Sequence, residues 1–185
     1  GYKVQGVVDG EPVADQIVFD NGSGSAVTDA EKVGVYATLN GTNQRFGVAD
    51  DASQDVGTGD FSLSVWVKTS SITGYPGIAG KMTYSGTDYG YMIVSNSTGQ
   101  IQLWVRDQLA AEQYTQMGVH PKDGKWHHFA VSVDRSGNSV GYMDGVQIQS
   151  HAHTPTATLD NGSGFVIGTE MYQAHFWNGS IKDVR

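Results

Sequence analysis

The chain has 185 residues, no Cys, 25 Gly, 4 Pro and a formal net charge of −8. No disulfide framework or thiolate metal site is available, and no basic stripe exists to neutralise nucleic-acid phosphates or meet an anionic membrane surface. No apolar run reaches the roughly 18 residues that span a bilayer, while 38% hydrophobic residues is too many for a disordered chain.

In chain order, residues 1–15 carry little pattern and read as a leader, linker or edge strand. One domain is expected over residues 16–185. The chain opens on Gly1 without a leader pattern and is read as a piece of a larger chain. The stretches "QIVFD", "VYATL", "FSLSVWVKT", "GYMIVS" and "QIQLWVR" read as strands. Next comes "RDQLAAEQYTQMG", residues 106–118, the one segment of helical composition. Then "HHFAVSVD", "SVGYMD", "VQIQS", "GFVIG" and "SIKDVR" return to strand pattern. Gly, Asn, Asp and Ser punctuate the series, as in an antiparallel sandwich or jelly roll. The turn "DNGSG" appears twice, with no longer repeat around it.

Strand parity assigns faces. Phe61, Leu63, Val65 and Val67 share one side, and Trp66 lies on the other. Ile101, Leu103 and Val105 oppose Gln102, Trp104 and Arg106. Phe129, Val131 and Val133 oppose Ala130, Ser132 and Asp134.

The run "DGKWHHFAVSVDRSGNSVGYMDG", Asp123–Gly145, concentrates His and Asp. Consecutive strand residues point to opposite faces, so His127 and His128 cannot chelate one ion. Asp134 and Asp144 fall in turns, with Asp144-Gly145 joining two strands. His151 and His153 have the i, i+2 spacing that a strand chelate needs, although solvated loop histidines share it. No G-x-S-x-G nucleophile motif occurs.

This run, together with "DFSLSVWVKT", "GIAGKM", "GYMIV", "GQIQLWV", "FVIGT" and "FWNGSIKDVR", resembles the laminin-G-like, concanavalin A-like jelly-roll family over residues 35–185. The resemblance implies an all-β, two-sheet antiparallel sandwich on a secreted or cell-surface protein. It also implies a last strand beyond the closing "DVR". Trp66 and Trp126 match framework positions of the family. Its glycoside hydrolases carry an E-x-D-x-x-E-like strand that is missing here. The only Glu residues are Glu11, Glu31, Glu112 and Glu170, and none has a partner at glycosidase spacing. The expectation is therefore a non-enzyme.

The resemblance also implies calcium. Asp183, in the closing strand, matches a family ligand position; Asp20 and the Asn40–Gly41 turn are the accompanying candidates. Calcium suits such a set because it takes six to eight oxygens, carbonyls included. Asp183 as a plain strand end and Asp20 as an Asx turn are the alternatives.

Sugar binding needs an aromatic face and hydrogen-bonding groups at its rim. The candidates are Trp104 with Arg106 on one strand face, and the loop aromatics Tyr75, Tyr84, Tyr89, Tyr172 and Trp177. The loops expected to converge span residues 75–91, 107–116 and 170–178. The function implied is a carbohydrate-binding or adhesion module whose partner is a polysaccharide or cell-surface glycan. A protein-binding adhesion domain and a spacer beside a polysaccharide-degrading domain are the alternatives. The five N-x-S/T triplets, at Asn21, Asn40, Asn96, Asn161 and Asn178, fall mostly in turns and are common by chance in so polar a chain.

Overall fold

A computed structural model describes the backbone of residues 2–4, 7–8, 11–12, 17–20, 36–83 and 88–185, and side chains within 36–83 and 88–185. The strands are β1 (Tyr2–Val4), β2 (Val7–Val8), β3 (Glu11–Pro12), β4 (Ile17–Asp20), β5 (Ala37–Asn40), β6 (Arg45–Val48), β7 (Phe61–Lys68) and β8 (Gly77–Met82). They continue as β9 (Gly90–Ser95), β10 (Gln100–Arg106), β11 (Glu112–Val119), β12 (Trp126–Val133), β13 (Asn138–Met143), β14 (Val146–Ala152), β15 (Phe165–Ile167) and β16 (Asn178–Lys182). The only helical piece among the described residues is a 3-10 turn, Ala52–Gln54.

Two antiparallel sheets face each other. One runs β1-β4-β6-β15-β8-β9-β10-β11, the other β14-β13-β12-β7-β16-β5. This is the expected jelly-roll sandwich. The core lies between the sheets. Leu39, Val65, Val67, Phe129, Val131 and Ile181 pack against Ile78, Ile93, Ile101, Leu103, Val105 and Met117. Parity therefore holds in β7, β10 and β12 as the alternation predicts. The β13–β14 connection is a two-residue turn with Asp144 at φ 51 and Gly145 at φ 80. Both central residues of a type I′ turn need φ > 0, which accounts for the Asp-Gly pair.

After β4, three strands escaped the pattern. β6 is short, and the Gly-rich β8 is buried on both faces. The helix expected over 106–118 is instead a turn followed by β11. Its inward positions are Gln113, Thr115 and Met117, so two of the three buried side chains are polar. Gln113 Nε2 donates to Thr115 Oγ1, and Gln113 Oε1 accepts from the Thr154 N–H. Those bonds let polar residues stand where alternation looks for apolar ones.

Candidate glycan groove

The outer face of the longer sheet carries its own apolar cluster, apart from the core. Met82, Met92 and Val94 are buried there, with Trp104, Val166 and Met171 packed against them. Strand register builds the surface. Trp104 pairs with Met92 on one side and with Tyr114 on the other. Arg106 pairs with Gly90 and Glu112. A cavity of about 280 Å³ opens over this area, lined by Met82, Asp88, Trp104, Arg106, Tyr114 and Tyr172, among others.

Trp104 is the one tryptophan that lines this cavity. Its Nε1 donates to Gln102 Oε1 at 3.2 Å, and its ring meets Tyr114 edge to face with centroids 5.4 Å apart. Two carboxylates border the cavity, and each accepts from a tyrosine. Tyr114 OH donates to Glu112 Oε2 at 3.1 Å, and Tyr172 OH to Asp88 Oδ2 at 2.6 Å. Burial, followed by the Glu112 carboxylate, raises the Tyr114 pKa, so its hydroxyl stays a donor. Arg106 Nε is buried without a hydrogen-bond partner. The cavity thus offers an aromatic face, carboxylate acceptors and a guanidinium donor.

A hairpin carries Tyr172 over the sheet. Thr169 bridges Phe176, and the Trp177 N–H donates to Gly168 O. Within its tip the Glu170 carboxylate accepts from the N–H groups of Tyr172, Ala174 (2.6 Å) and His175 (3.0 Å).

Of the sequence candidates, Trp104, Arg106 and Tyr172 come together here. Trp177 does not: it is 0% exposed and lies in the core between the sheets. Its parity turns it inward, so it anchors the hairpin instead of meeting a ligand. Tyr75 is exposed elsewhere, against His175 at 6.2 Å between centroids. Tyr89 is half-buried and does not line the cavity. Tyr84 lies outside the described residues. The expected loops are also partly strand, because β8 occupies 77–82 and β11 begins at 112. Tyr114, Glu112, Asp88, Met82 and Met171 fall within the three expected segments but were not singled out as site residues. Alternation across "EQYTQMGV" was the signal for Tyr114 and Glu112, and the helical reading masked it.

The calcium candidates do not meet at one point. Asn40 pairs with Asn178 at one end of β16, whereas Asp183 lies beyond the other end. Five residues of extended chain separate them by about 16 Å. Asn40 Oδ1 already accepts the Thr42 and Asn43 N–H groups. Asp20 pairs with Arg45 in the opposite sheet, and its side chain lies outside the described residues. Among the described residues, no three His, Asp or Glu side chains are placed to hold a metal.

His127 and His128 take opposite faces. His127 Nδ1 lies 2.8 Å from Asp144 Oδ2 and its Nε2 lies 3.3 Å from Asp123 Oδ1. The His128 ring lies against that of Trp66 at a tilt of 43°, with centroids 5.0 Å apart. Trp66 and Trp126 both stand on the outer face of the shorter sheet, not in the core. Lys182 Nζ lies 5.4 and 4.6 Å from their ring centroids. Asp50 and Asp55 close on the buried Lys81, each at 2.5 Å, pinning the loop after β6.

The Concanavalin A-like lectin/glucanases superfamily profile matches residues 40–185. No curated sequence matches the chain. Among solved structures, the binding domain of botulinum neurotoxin serotype G superposes with a TM-score of 0.67 at 16% identity, covering 91% of this chain and 40% of that one. The receptor-binding domain of botulinum neurotoxin D gives 0.70 at 12%, covering 96% and 46%. The chain therefore spans less than half of those toxin domains. Domain 4 of AbnA, an extracellular arabinanase from Geobacillus stearothermophilus solved with arabinotriose, gives 0.63 at 22%, covering 92% and 80%. No helix among the described residues is long and apolar enough to cross a membrane.

Proposed function

We propose that this chain, which belongs to the concanavalin A-like lectin/glucanases superfamily, is a non-catalytic carbohydrate-binding module of an extracellular protein. The Trp104 groove is its glycan site. One observation carries the proposal: an aromatic ring, Trp104, lines a cavity together with the Arg106 side chain and two carboxylates. Sugars present apolar C–H faces and a rim of hydroxyls, and that combination matches both. The superposition with an arabinanase domain solved with arabinotriose supports the same class of ligand.

A second reading rests on Asp88 and Glu112, which line one cavity as a glycosidase pair would. In each pair the tyrosine hydroxyl donates and the carboxylate accepts, so both carboxylates already serve as hydrogen-bond acceptors within the cavity wall. A glycan array with wild type and Trp104→Ala tests the proposal. Signals that depend on Trp104, with no release of reducing sugar from the bound glycans, support it. An empty array at high protein concentration sinks it, and turnover establishes the enzyme instead.

A further inference from the structure

The outer face of the longer sheet holds one unbroken row of paired residues. It runs Gly47, Val166, Gly80, Met92, Trp104, Tyr114 across β6, β15, β8, β9, β10 and β11. Neighbouring strands lie about 4.8 Å apart, so the row is about 24 Å long. Gly47 and Gly80 add no side chain to its floor, and a Cβ on Gly47 would meet nothing within 4 Å. Such a floor suits an extended chain of several sugars.

Met171 interrupts it. Its side chain packs against the cluster of Met82, Met92 and Val94, against which Val166 and Trp104 also pack. Two cavities result. One of about 280 Å³ lies on the Trp104 side, and one of about 380 Å³ on the Gly47 side. They share Met82 and Met171 and no other lining residue. The wall is fixed in place. Glu170 holds three backbone N–H groups of the same hairpin, Trp177 roots it in the core, and a Cβ on Gly77 would meet Thr169 O at 2.2 Å.

We infer that Met171 makes the Trp104 groove a reader of chain ends. It admits a terminal sugar unit and blocks passage of an internal segment across the sheet. The remaining chain leaves past Tyr114, since β11 is the edge strand. About 280 Å³ falls just below the ~300–1,000 Å³ of pockets that enclose a drug-sized ligand, which fits one or two sugar units. This inference rests on the carbohydrate reading above. Met171 is then the residue that sets chain-length specificity.

The test is calorimetry with linear oligosaccharides of arabinose, xylose, glucose and galacturonate, two to six units long. In wild type the affinity should be flat from the disaccharide upward. Met171→Ala should gain at least tenfold for the hexamer over the dimer. Gly47→Leu in the Met171→Ala background should remove that gain by refilling the far cavity. Met171→Leu keeps the volume and should behave as wild type; circular dichroism and melting confirm that each variant is folded. Wild-type affinity that climbs with length to the hexamer overturns the inference and leaves the carbohydrate reading standing. So does a Met171→Ala variant that is folded but length-blind. Failure of the whole panel to bind overturns both.

Discussion

Trp104 and Tyr114 face each other across β10 and β11 and meet edge to face, with an interplanar angle of 74°. The contact holds the Trp104 ring while Tyr114 stays about half-exposed at the sheet edge. Trp104 belongs to the small outer cluster and not to the core. Trp104→Ala should therefore cost at least tenfold in glycan affinity, about 1.4 kcal/mol, and leave the fold intact. Tyr114→Phe keeps the ring and loses only the bond to Glu112, so its effect should be smaller. Calorimetry beside a melting curve separates the two: cooperative unfolding lost in Trp104→Ala would place that ring in the structural core.

Glu170 is the keystone of the hairpin that carries Tyr172. Its side chain is buried and accepts three backbone N–H groups. Glu170→Ala strands those donors. The expected loss is about 3 kcal/mol, or about 6–12 °C in Tm for a chain of this size. Tyr172→Phe removes the hydroxyl that donates to Asp88 at the surface, and should weaken binding while barely moving Tm. Equal melting temperatures for Glu170→Ala and wild type would show that the hairpin does not depend on this carboxylate.

How much of this was legible depends on which residues carried the signal. The sandwich was plain in β7, β10 and β12, where apolar residues alternate strictly and one face is core. Trp104 and Arg106 were found the same way, because parity put them opposite Leu103 and Val105. β11 was hidden because its inner face is held by hydrogen bonds of Gln113 and Thr115. With it went Tyr114 and Glu112. Trp177 was misplaced because an aromatic in a Gly- and polar-rich loop looks exposed; only the bridge from Thr169 to Phe176 shows that the hairpin turns it inward. Met171 lay in the 170–178 segment expected at the site, but nothing marked that side chain within it, since its position depends on a hairpin folding back over a sheet distant in sequence.

The row of paired residues across the outer face gives a contrast between two glycines. A Cβ on Gly80 would meet Met92 Cα and Tyr91 O, both at 2.4 Å, so backbone would have to move. Gly80→Ala should lower stability by about 1–3 kcal/mol, the usual cost of overpacking. Gly47→Ala should be nearly silent in chemical denaturation, because open space surrounds the added methyl. Equal denaturation midpoints for the two variants would refute the strand register on which the row depends.

Two neighbouring histidines predict opposite pH limbs of stability. His120 is 1% exposed, with its ring 5.0 Å from that of His127. Its Nδ1 accepts the Lys122 N–H, so the single proton sits on Nε2. Burial first, then the charge of His127, pushes its pKa from 6.5 down to about 4. Between those values the unfolded chain binds the proton and the folded chain does not. Stability is therefore full above pH 6.5 and falls as pH drops to about 4, by on the order of 3 kcal/mol. For His127, burial opposes the charge, but Asp144 and Asp123 outweigh it and raise the pKa. Its contribution is present below the unfolded value of 6.5 and disappears as pH rises through the raised one. His120→Asn keeps an acceptor for Lys122 and removes the titration. It should flatten the acid limb, with some stability lost at every pH as the ring contacts with Phe129 and Trp177 go. His127→Gln should abolish the decline on the alkaline side and weaken, but not remove, the acid limb, because burial still lowers the His120 pKa once the His127 charge is gone. Urea midpoints from pH 4 to 9 read both slopes, and an acid limb unchanged in His120→Asn would assign that limb to other groups.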